Sequence, residues 1–401
     1  MTTQVQISKQ KIFCFVATFY LVLMNQQYYL LEGDLVSPVK VAAMCATPII
    51  WFFMVPNFSK ALAWGIIYLT WLFMVMYLRF DAPRLETLGY SAMFFCTYMV
   101  FYGLVYAGAF TKEYFQKLMR FLLWAYIIVL IAQQAASVLE IIVPEINLAY
   151  DVGEFRLKVP SLSLEPSHSA RIMAFMFYAF LKVTELINGV PVTLKDLFIR
   201  YRKLTLFFLY AMISMYSGTA ILMLVLLSFY FFQRKHMFYI IPFFIAIWVY
   251  ISDVDYNPVQ RTFNTAESVL TLDTEEVIKT DDSAAARITP IMNAFKMDFS
   301  DMKTWLGHGT DTFASYEHLS EQQTIWTDRG VICYLLGVAV IFACAIRPFL
   351  SLPTLMALCA FGWQVVNIYY IWGALMILTC VTYFRENNND KVSLEVSLIK
   401  R

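Results

Sequence analysis

Charge is scarce in this sequence. Only 15% of its 401 residues are Asp, Glu, Lys or Arg, and 60% are apolar, whereas an average soluble domain is about a quarter charged. This composition excludes an ordinary water-soluble enzyme. The 30 basic and 29 acidic residues leave a formal charge of +1, so no excess of positive charge predicts binding to nucleic acid.

Glycine and proline are also few, at 14 and 13 residues, and they form no flexible linker or low-complexity segment. We therefore expect residues 1–401 to form a single membrane-embedded domain. No nucleotide-binding glycine motif or zinc-protease motif occurs. All seven cysteines lie in apolar segments without the spacing of metal ligands, so we expect packing roles for Cys14, Cys45, Cys96, Cys333, Cys344, Cys359 and Cys380.

Long apolar segments dominate what is present. About twelve helices of about 20 residues each would place about 240 residues in the hydrocarbon core of a membrane. The segment 352–384 is long enough for two helices, with a break near Asn367. The other spans predicted from hydropathy are 12–31, 36–55, 61–79, 88–110, 119–138, 167–187, 237–251 and 331–346. We expect an all-α polytopic membrane protein with about twelve transmembrane helices.

The apolar segment 204–232 needs a separate interpretation. A single helix over its 29 residues would be about 44 Å long, well beyond a hydrocarbon core of about 30 Å. Basic residues precede it between Lys195 and Lys203 and follow it at Arg234 and Lys235, and the positive-inside rule places both groups in the cytoplasm. We predict a hairpin that turns at Ser217-Gly218, and a topology with both termini in the cytoplasm.

Two loops are large enough to build a site that faces water, residues 139–166 and residues 252–329. The first holds five acidic and two basic residues, and the second holds 14 acidic and 6 basic residues, a net charge of −8. We expect both loops, with short helices in them, on the periplasmic side, opposite the basic loops.

The first candidate site lies where the loop 139–166 meets the span 167–187. Pro166 is favoured as a first helical residue, and Glu165, His168 and Arg171 follow at intervals of three, so they project from one side of a helix. A helix N-terminus attracts anions, and an arginine one turn inside it could hold a lipid-linked diphosphate. In the alternative interpretation Glu165 caps the helix and Arg171 reaches out to lipid phosphates.

The second candidate site lies in the loop 252–329. Ser283 is placed to cap a short helix that carries Arg287, a residue that binds either a phosphate or one of the many acidic neighbours. Further along, Gly307-His308-Gly309 forms a glycine-rich turn. Such a turn either lets backbone N–H groups approach a phosphate or simply reverses the chain.

Taken in order, these motifs resemble those of the bacterial O-antigen polymerases (Wzy), a family related to the O-antigen ligases and to membrane glycosyltransferases of the GT-C type. The resemblance covers roughly residues 160–350. Its motifs are Glu165-Pro166-Ser167, Ser217-Gly218, Ser283 to Arg287, Gly307 to Phe313, and Asp328 to Gly330. The family pattern is broken at Asp328, where a glutamate is expected, and at Ser217-Gly218, which lacks the arginine often found there.

The resemblance implies a GT-C-like fold and a metal-independent inverting glycosyltransferase in the bacterial inner membrane, with no cofactor. The enzyme would transfer a growing glycan from undecaprenyl diphosphate to the non-reducing end of a new lipid-linked repeat unit, at the periplasmic face. Undecaprenyl-diphosphate-linked oligosaccharides would be both donor and acceptor. Membrane lipids and a chain-length regulator protein would be further partners.

The resemblance also suggests roles for the candidate residues. The residues expected to bind the diphosphate are Arg171, Arg287, Gly307 and Gly309. Glu165 is the first candidate for the general base. Arginines beside it would lower its pKa, which keeps the carboxylate ionised but makes it a weak base, and His168 and His308 are therefore alternatives.

Two other functions remain open at this stage. An O-antigen ligase would share the architecture and the donor but would transfer glycan to lipid A-core. A flippase for lipid-linked oligosaccharides would be equally apolar, but transporters usually carry ionisable residues near the membrane centre and internal repeats. Here the polar residues within spans are mainly amides, such as Gln133, Gln134 and Gln364, and we favour the polymerase.

The predicted topology can be tested at Ser315, in the loop 252–329. In a protein without its native cysteines, we expect Ser315→Cys to react with a membrane-impermeant thiol reagent in cells whose outer membrane is permeabilised. The basic flanks of the hairpin place this loop outside. A cysteine at Lys195 is the matched control and should react only after the inner membrane is lysed. The reverse pattern of labelling would overturn the topology.

Overall fold

The computed structural model describes residues 2–27, 37–54, 59–78, 85–139, 158–232, 298–307, 321–365 and 368–399. This part of the chain is helical apart from its connections and contains no strand. Its helices are α1 (Thr2–Met24), α2 (Pro38–Cys45), α3 (Thr47–Met54), α4 (Lys60–Leu78), α5 (Leu85–Tyr106), α6 (Lys112–Val138), α7 (Pro166–Asn188), α8 (Leu194–Arg200), α9 (Arg202–Ser214), α10 (Gly218–Ser228), α11 (Met302–Leu306), α12 (Glu321–Cys344), α13 (Leu352–Phe361) and α14 (Tyr369–Ile399).

The predicted all-α class is confirmed. Within the described part of the chain, three helices are long and apolar enough to cross a membrane, at Lys60–Tyr77, Leu88–Tyr106 and Lys112–Val138. Large apolar side chains are exposed on the outward faces of α4 and α6, for example Phe73 and Phe121. Water does not favour such a surface, but a lipid environment does.

Helix α7 is the centre of the bundle. Apart from His168 and Lys182, every residue from Ser167 to Thr184 is buried, and the helix packs against α6, α14 and α10. The ring of Phe177 stacks on that of Phe208 of α9, with centroids 4.1 Å apart. A helix buried on all sides belongs to the interior, so the motif at its N-terminus is anchored to the core.

The predicted hairpin is confirmed in position. Helix α9 ends at Ser214, the chain turns through Met215 to Ser217, and α10 begins at Gly218. Gln134 of α6 holds the end of α9, because it accepts a hydrogen bond of 2.8 Å from the Tyr210 hydroxyl and donates one of 3.0 Å to Ser214 Oγ. The two helices are about 20 and 17 Å long. Each is shorter than a typical membrane-spanning helix of about 20 residues.

Several predicted boundaries were wrong. The predicted span 36–55 agrees in its bounds with the apolar segment Pro38–Met54, but this segment is divided at Ala46 into α2 and α3, because Pro48 has no N–H to donate to the preceding turn. Helix α1 starts ten residues before the predicted span 12–31, and α14 continues 15 residues past 384. Hydropathy locates the apolar part of a helix and not its polar ends. The division of 352–384 is confirmed, while the predicted span 237–251 lies outside the described residues.

Two glycines from separate motifs bring the chain into close contact with itself. Gly307 and Gly330 have φ values of 81° and 75° with ψ near 170°, a conformation adopted almost only by glycine. A Cβ atom on Gly330 would lie 2.4 Å from the Trp305 carbonyl oxygen and 2.5 Å from the Gly307 nitrogen. Residues Trp305 to Gly307, at the start of the second candidate site's glycine motif, therefore pack directly on the kink in α12.

We expect Gly330→Ala to destabilise the protein, because the added methyl group has no space and the backbone conformation costs about 1–3 kcal/mol for a residue other than glycine. The measurement is the thermal unfolding midpoint of the detergent-purified protein. Gly89→Ala is the matched control, since a Cβ there meets nothing within 4 Å. Equal unfolding midpoints for the two variants would contradict the close packing at Gly330.

Candidate functional site

The first candidate site begins at the N-terminus of α7. Glu165 occupies the N-cap position and Pro166 starts the helix, as predicted. The Glu165 carboxylate makes no capping hydrogen bond to a backbone N–H. Instead its Oε2 accepts a hydrogen bond of 3.0 Å from the hydroxyl of Ser167. Capping therefore does not explain a carboxylate at this position.

The loop that leads into α7 is held by buried polar side chains of α6. Gln133 binds both polar groups of the Ser161 backbone, because its Oε1 accepts from the N–H at 2.7 Å and its Nε2 donates to the carbonyl at 3.0 Å. The Ser169 hydroxyl donates to the Pro160 carbonyl. Ser161 has a φ of 57°, which is unusual outside glycine and is stabilised here by these bonds. The loop thus fixes the position of Glu165.

His168 contacts Glu165 on one side and, on the other, an aromatic ring of α14 that Arg171 also contacts. Nε2 of His168 lies 3.7 Å from Oε2 of Glu165. The His168 ring is 4.5 Å from that of Tyr370, and the Arg171 guanidinium carbon is 4.8 Å from the same ring. The predicted placement of the three residues on one side of the helix is therefore confirmed.

Exposure falls steeply along this series. The side chain of Glu165 is 58% exposed and that of His168 is 17% exposed, whereas Arg171 is only 2% exposed. This burial excludes the interpretation in which Arg171 reaches out to lipid phosphates. Among the described residues its Nε and Nη2 atoms have no hydrogen-bond partner.

The structure adds Lys40 to the site, a residue that the sequence analysis missed. Lys40 of α2 is 4% exposed, donates a hydrogen bond to the backbone carbonyl of Gln26, and lies 4.2 Å from the ring centroid of Tyr369. The rings of Tyr369 and Tyr370 are 6.0 Å apart. Two buried cations therefore rest on adjacent tyrosines at the start of α14.

A close approach of α1 to α14 brings Gln26 to this place. A Cβ atom on Gly373 would lie only 2.5 Å from Oδ1 of Asn25, so a larger residue would push the end of α1 away. The Tyr126 hydroxyl of α6 donates to the Asn25 carbonyl and secures the same turn. The end of α1 thus supplies a rigid acceptor for Lys40.

The second candidate site is described only in part. Gly307 has the positive φ that favours glycine, and its backbone nitrogen packs against Gly330, as given above. Ser283, Arg287, His308 and Gly309 lie outside the described residues. Binding of diphosphate by Arg287 and Gly309, and a base role for His308, stay predictions.

The arrangement is suited to a multiply charged anion. The α7 N-terminus contributes backbone N–H groups and the positive end of its dipole, Arg171 contributes a positive charge that is shielded from water, and Lys40 contributes a buried amine. Electrostatic attraction is much stronger in such a surrounding than in water. Glu165 stands at the exposed edge, where it can accept a proton from a second molecule.

Comparison of the sequence with protein-family models and with characterised proteins, and of the fold with solved structures, gives no match. The function must therefore be inferred from the site and from the order of the motifs.

We predict that Arg171→Met leaves the thermal unfolding midpoint unchanged or raises it. The substitution removes a buried charge with two unpartnered nitrogens, and each such group costs about 1–3 kcal/mol, against about 2 kcal/mol for a buried cation–π contact. Thermal unfolding in detergent measures the effect.

Gln133→Leu is the control for Arg171→Met, because Gln133 is a buried polar residue with a structural role. It should lower the unfolding midpoint clearly, because the N–H and C=O of Ser161 lose their partners. If Arg171→Met destabilises the protein as much as Gln133→Leu does, Arg171 is a structural residue.

Proposed function

We propose that this protein is an O-antigen polymerase, a surface-polysaccharide glycosyltransferase with about twelve transmembrane helices in a GT-C-like arrangement. In this proposal it lies in the bacterial inner membrane, has both termini in the cytoplasm, and acts at the periplasmic face on undecaprenyl-diphosphate-linked oligosaccharides. The observation that carries the proposal is the buried guanidinium of Arg171 on the helix that begins at the Glu165 carboxylate. Lys40 contacts the tyrosine ring next to the one that Arg171 contacts. The order of the sequence motifs supports the same class.

The two buried cations would bind the diphosphate of the donor. Arg171 presents a planar fork of N–H groups that matches two phosphate oxygens, whereas the Lys40 ammonium acts as a point charge. An arriving diphosphate competes with the rings of Tyr370 and Tyr369 for these cations. Charge-assisted hydrogen bonds to an anion are stronger than cation–π contacts, so the diphosphate would replace the tyrosine rings as the partner of Arg171 and Lys40.

The reaction then needs one proton acceptor. A hydroxyl oxygen of the acceptor sugar attacks the anomeric carbon of the donor, and the bond between that carbon and the diphosphate oxygen breaks. The hydroxyl proton passes to the base, and the electron pair of the broken bond leaves with the diphosphate on its lipid. Arg171 and Lys40 stabilise the charge that develops on this leaving group.

Glu165 is placed to be that base, because its carboxylate is exposed at the edge of the site and Ser167 orients one of its oxygens. His168 offers a second route. Its Nε2 lies 3.7 Å from the same carboxylate, so Glu165 could instead orient the imidazole and stabilise it once it is protonated. Glu165 is the proton acceptor in the first route and a positioning residue for His168 in the second. Substitutions at Glu165 and His168 separate the two routes.

Buried ionisable residues of the site bear on the alternative function as a flippase. The amides Gln133 and Gln134 have structural partners, whereas Arg171 and Lys40 are ionisable and buried. A transporter of lipid diphosphates would also use such cations. The carboxylate of Glu165 at the exposed edge of the site favours a catalytic function over transport, because a negative charge at the entrance would not help an anion to enter.

The lipopolysaccharide pattern of a deletion strain tests the proposal. We expect a single repeat unit attached to core, because transfer to core continues without polymerisation. Bare core with polymer remaining on the carrier lipid would instead show an O-antigen ligase. Bare core with unpolymerised repeat units held on the cytoplasmic side would show a flippase.

We predict that Glu165→Gln fails to restore long polymer in the deletion strain, because it keeps the shape of the side chain and removes its basicity. Loss of a positioned base typically lowers the rate about 10²- to 10⁴-fold. The readout is polymer length on gels at equal protein level. Glu113→Gln, an exposed carboxylate at the start of α6, is the control and should restore polymer fully.

His168→Ala separates the two routes. If Glu165 is the base, His168→Ala shortens the polymer but retains activity. Loss of all activity in His168→Ala with activity retained in Glu165→Gln would assign the base to the imidazole.

A further inference from the structure

The structure contains a cavity of about 560 Å³ near the end of α7 that is distant from Glu165. Lys182, which lines it, is 11 residues beyond Arg171 and therefore about 16 Å further along the helix axis. The other walls come from the segment before α8, the turn after α10, the start of α13, and Arg385 of α14. A volume of 300–1,000 Å³ is typical of a site for a small molecule.

The charged side chains that line the cavity are Lys182, Glu185 and Arg385, and their net charge is positive. Lys182 Nζ lies 2.8 Å from both carboxylate oxygens of Glu185, and the Tyr230 hydroxyl donates to the same carboxylate at 2.8 Å. These two opposite charges offset one another. Arg385 has no hydrogen bond or ion pair within the described part of the chain, and its guanidinium lies close enough to Tyr178 to act on it electrostatically. Arg385 therefore remains available to an anion.

The rest of the lining is apolar and aromatic. Phe229, Phe231 and Leu194 are partly or largely exposed in the structure and line the cavity together with Leu352. A ligand that fits both parts must have an anionic group at one end and a hydrocarbon portion at the other. Soluble phosphate compounds such as sugar phosphates lack the second feature.

The surroundings of the cavity are basic. The segment that follows Leu194 of the lining carries Lys195, Arg200, Arg202 and Lys203 within nine positions. By the positive-inside rule, these residues predict that this end of the protein lies on the cytoplasmic side. Basic pockets between membrane helices on this side bind the headgroups of anionic lipids.

We propose that this cavity binds an anionic phospholipid, with the lipid phosphate at Arg385 and an acyl chain along Phe229 and Phe231. The lipid fills the gap between α7, the end of α10, the start of α13 and α14. This binding does not depend on the proposed glycosyl transfer, because the two sites lie at opposite ends of α7 and share no residue.

Native mass spectrometry of the detergent-purified protein, titrated with phosphatidylglycerol, tests the proposal. We expect Arg385→Gln to weaken binding about fivefold, the effect of removing one basic residue from an anionic lipid surface. Lys195→Gln is the matched control, because Lys195 is exposed on the same side but does not line the cavity, and it should bind as the wild type does.

Two further titrations separate the sources of the phosphate. Zwitterionic phosphatidylethanolamine should bind several-fold more weakly than phosphatidylglycerol, and inorganic phosphate should not displace the bound lipid. The proposal is overturned if Arg385→Gln binds phosphatidylglycerol as Lys195→Gln does, or if both lipids bind equally. Displacement by inorganic phosphate alone would also overturn it, since the cavity would then recognise a soluble phosphate.

Discussion

A positive charge buried in an apolar bundle is the constraint on which this structure depends. Arg171 sits in a helix that is enclosed by α6, α10 and α14, and only 2% of it is exposed. Burying a charge costs several kcal/mol unless other groups compensate. The described surroundings offer the ring of Tyr370 and leave two guanidinium nitrogens without hydrogen bonds. Such an arrangement is unfavourable for stability and favourable for holding an anion.

The rest of the site keeps this charge in a fixed position. The double hydrogen bond of Gln133 to Ser161 sets the loop before α7, and Gly373 allows the end of α1 to approach α14 closely. Lys40 is directed by the Gln26 carbonyl toward Tyr369, next to Tyr370. Preorganised charges of this kind stabilise an anionic leaving group without further rearrangement of the backbone.

The sequence predicted much of the helical framework, because long apolar segments and their polar breaks are strong local signals. It also predicted the start of α7 at Pro166 and the turn near Ser217. It did not predict the break at Ala46, although Pro48 marks it, nor the contacts of Tyr369 and Tyr370. Which residues meet across helices depends on tertiary packing, and periodicity within one helix does not contain that information.

For Lys40, the sequence did contain a feature that indicates a functional site. It is the only charged residue between positions 35 and 54, and an ionisable residue within an apolar segment is by itself a reason to expect a functional site. Its contact with the tyrosine next to the one that Arg171 contacts could not be inferred, because α2, α7 and α14 are far apart in sequence. Gly330 likewise acquires a structural explanation only when the backbone of Trp305 to Gly307 is seen to pack against it.

The most direct measurement of the central claim is the equilibrium binding of undecaprenyl diphosphate to the purified protein and to Arg171→Lys, Lys40→Met and the double variant. A charge-assisted hydrogen bond contributes about 1.5–3 kcal/mol, so each single variant should bind at least about tenfold more weakly. Because both cations hold the same diphosphate, the losses should not be additive in the double variant. Affinities equal to that of the wild type in both single variants would contradict the account.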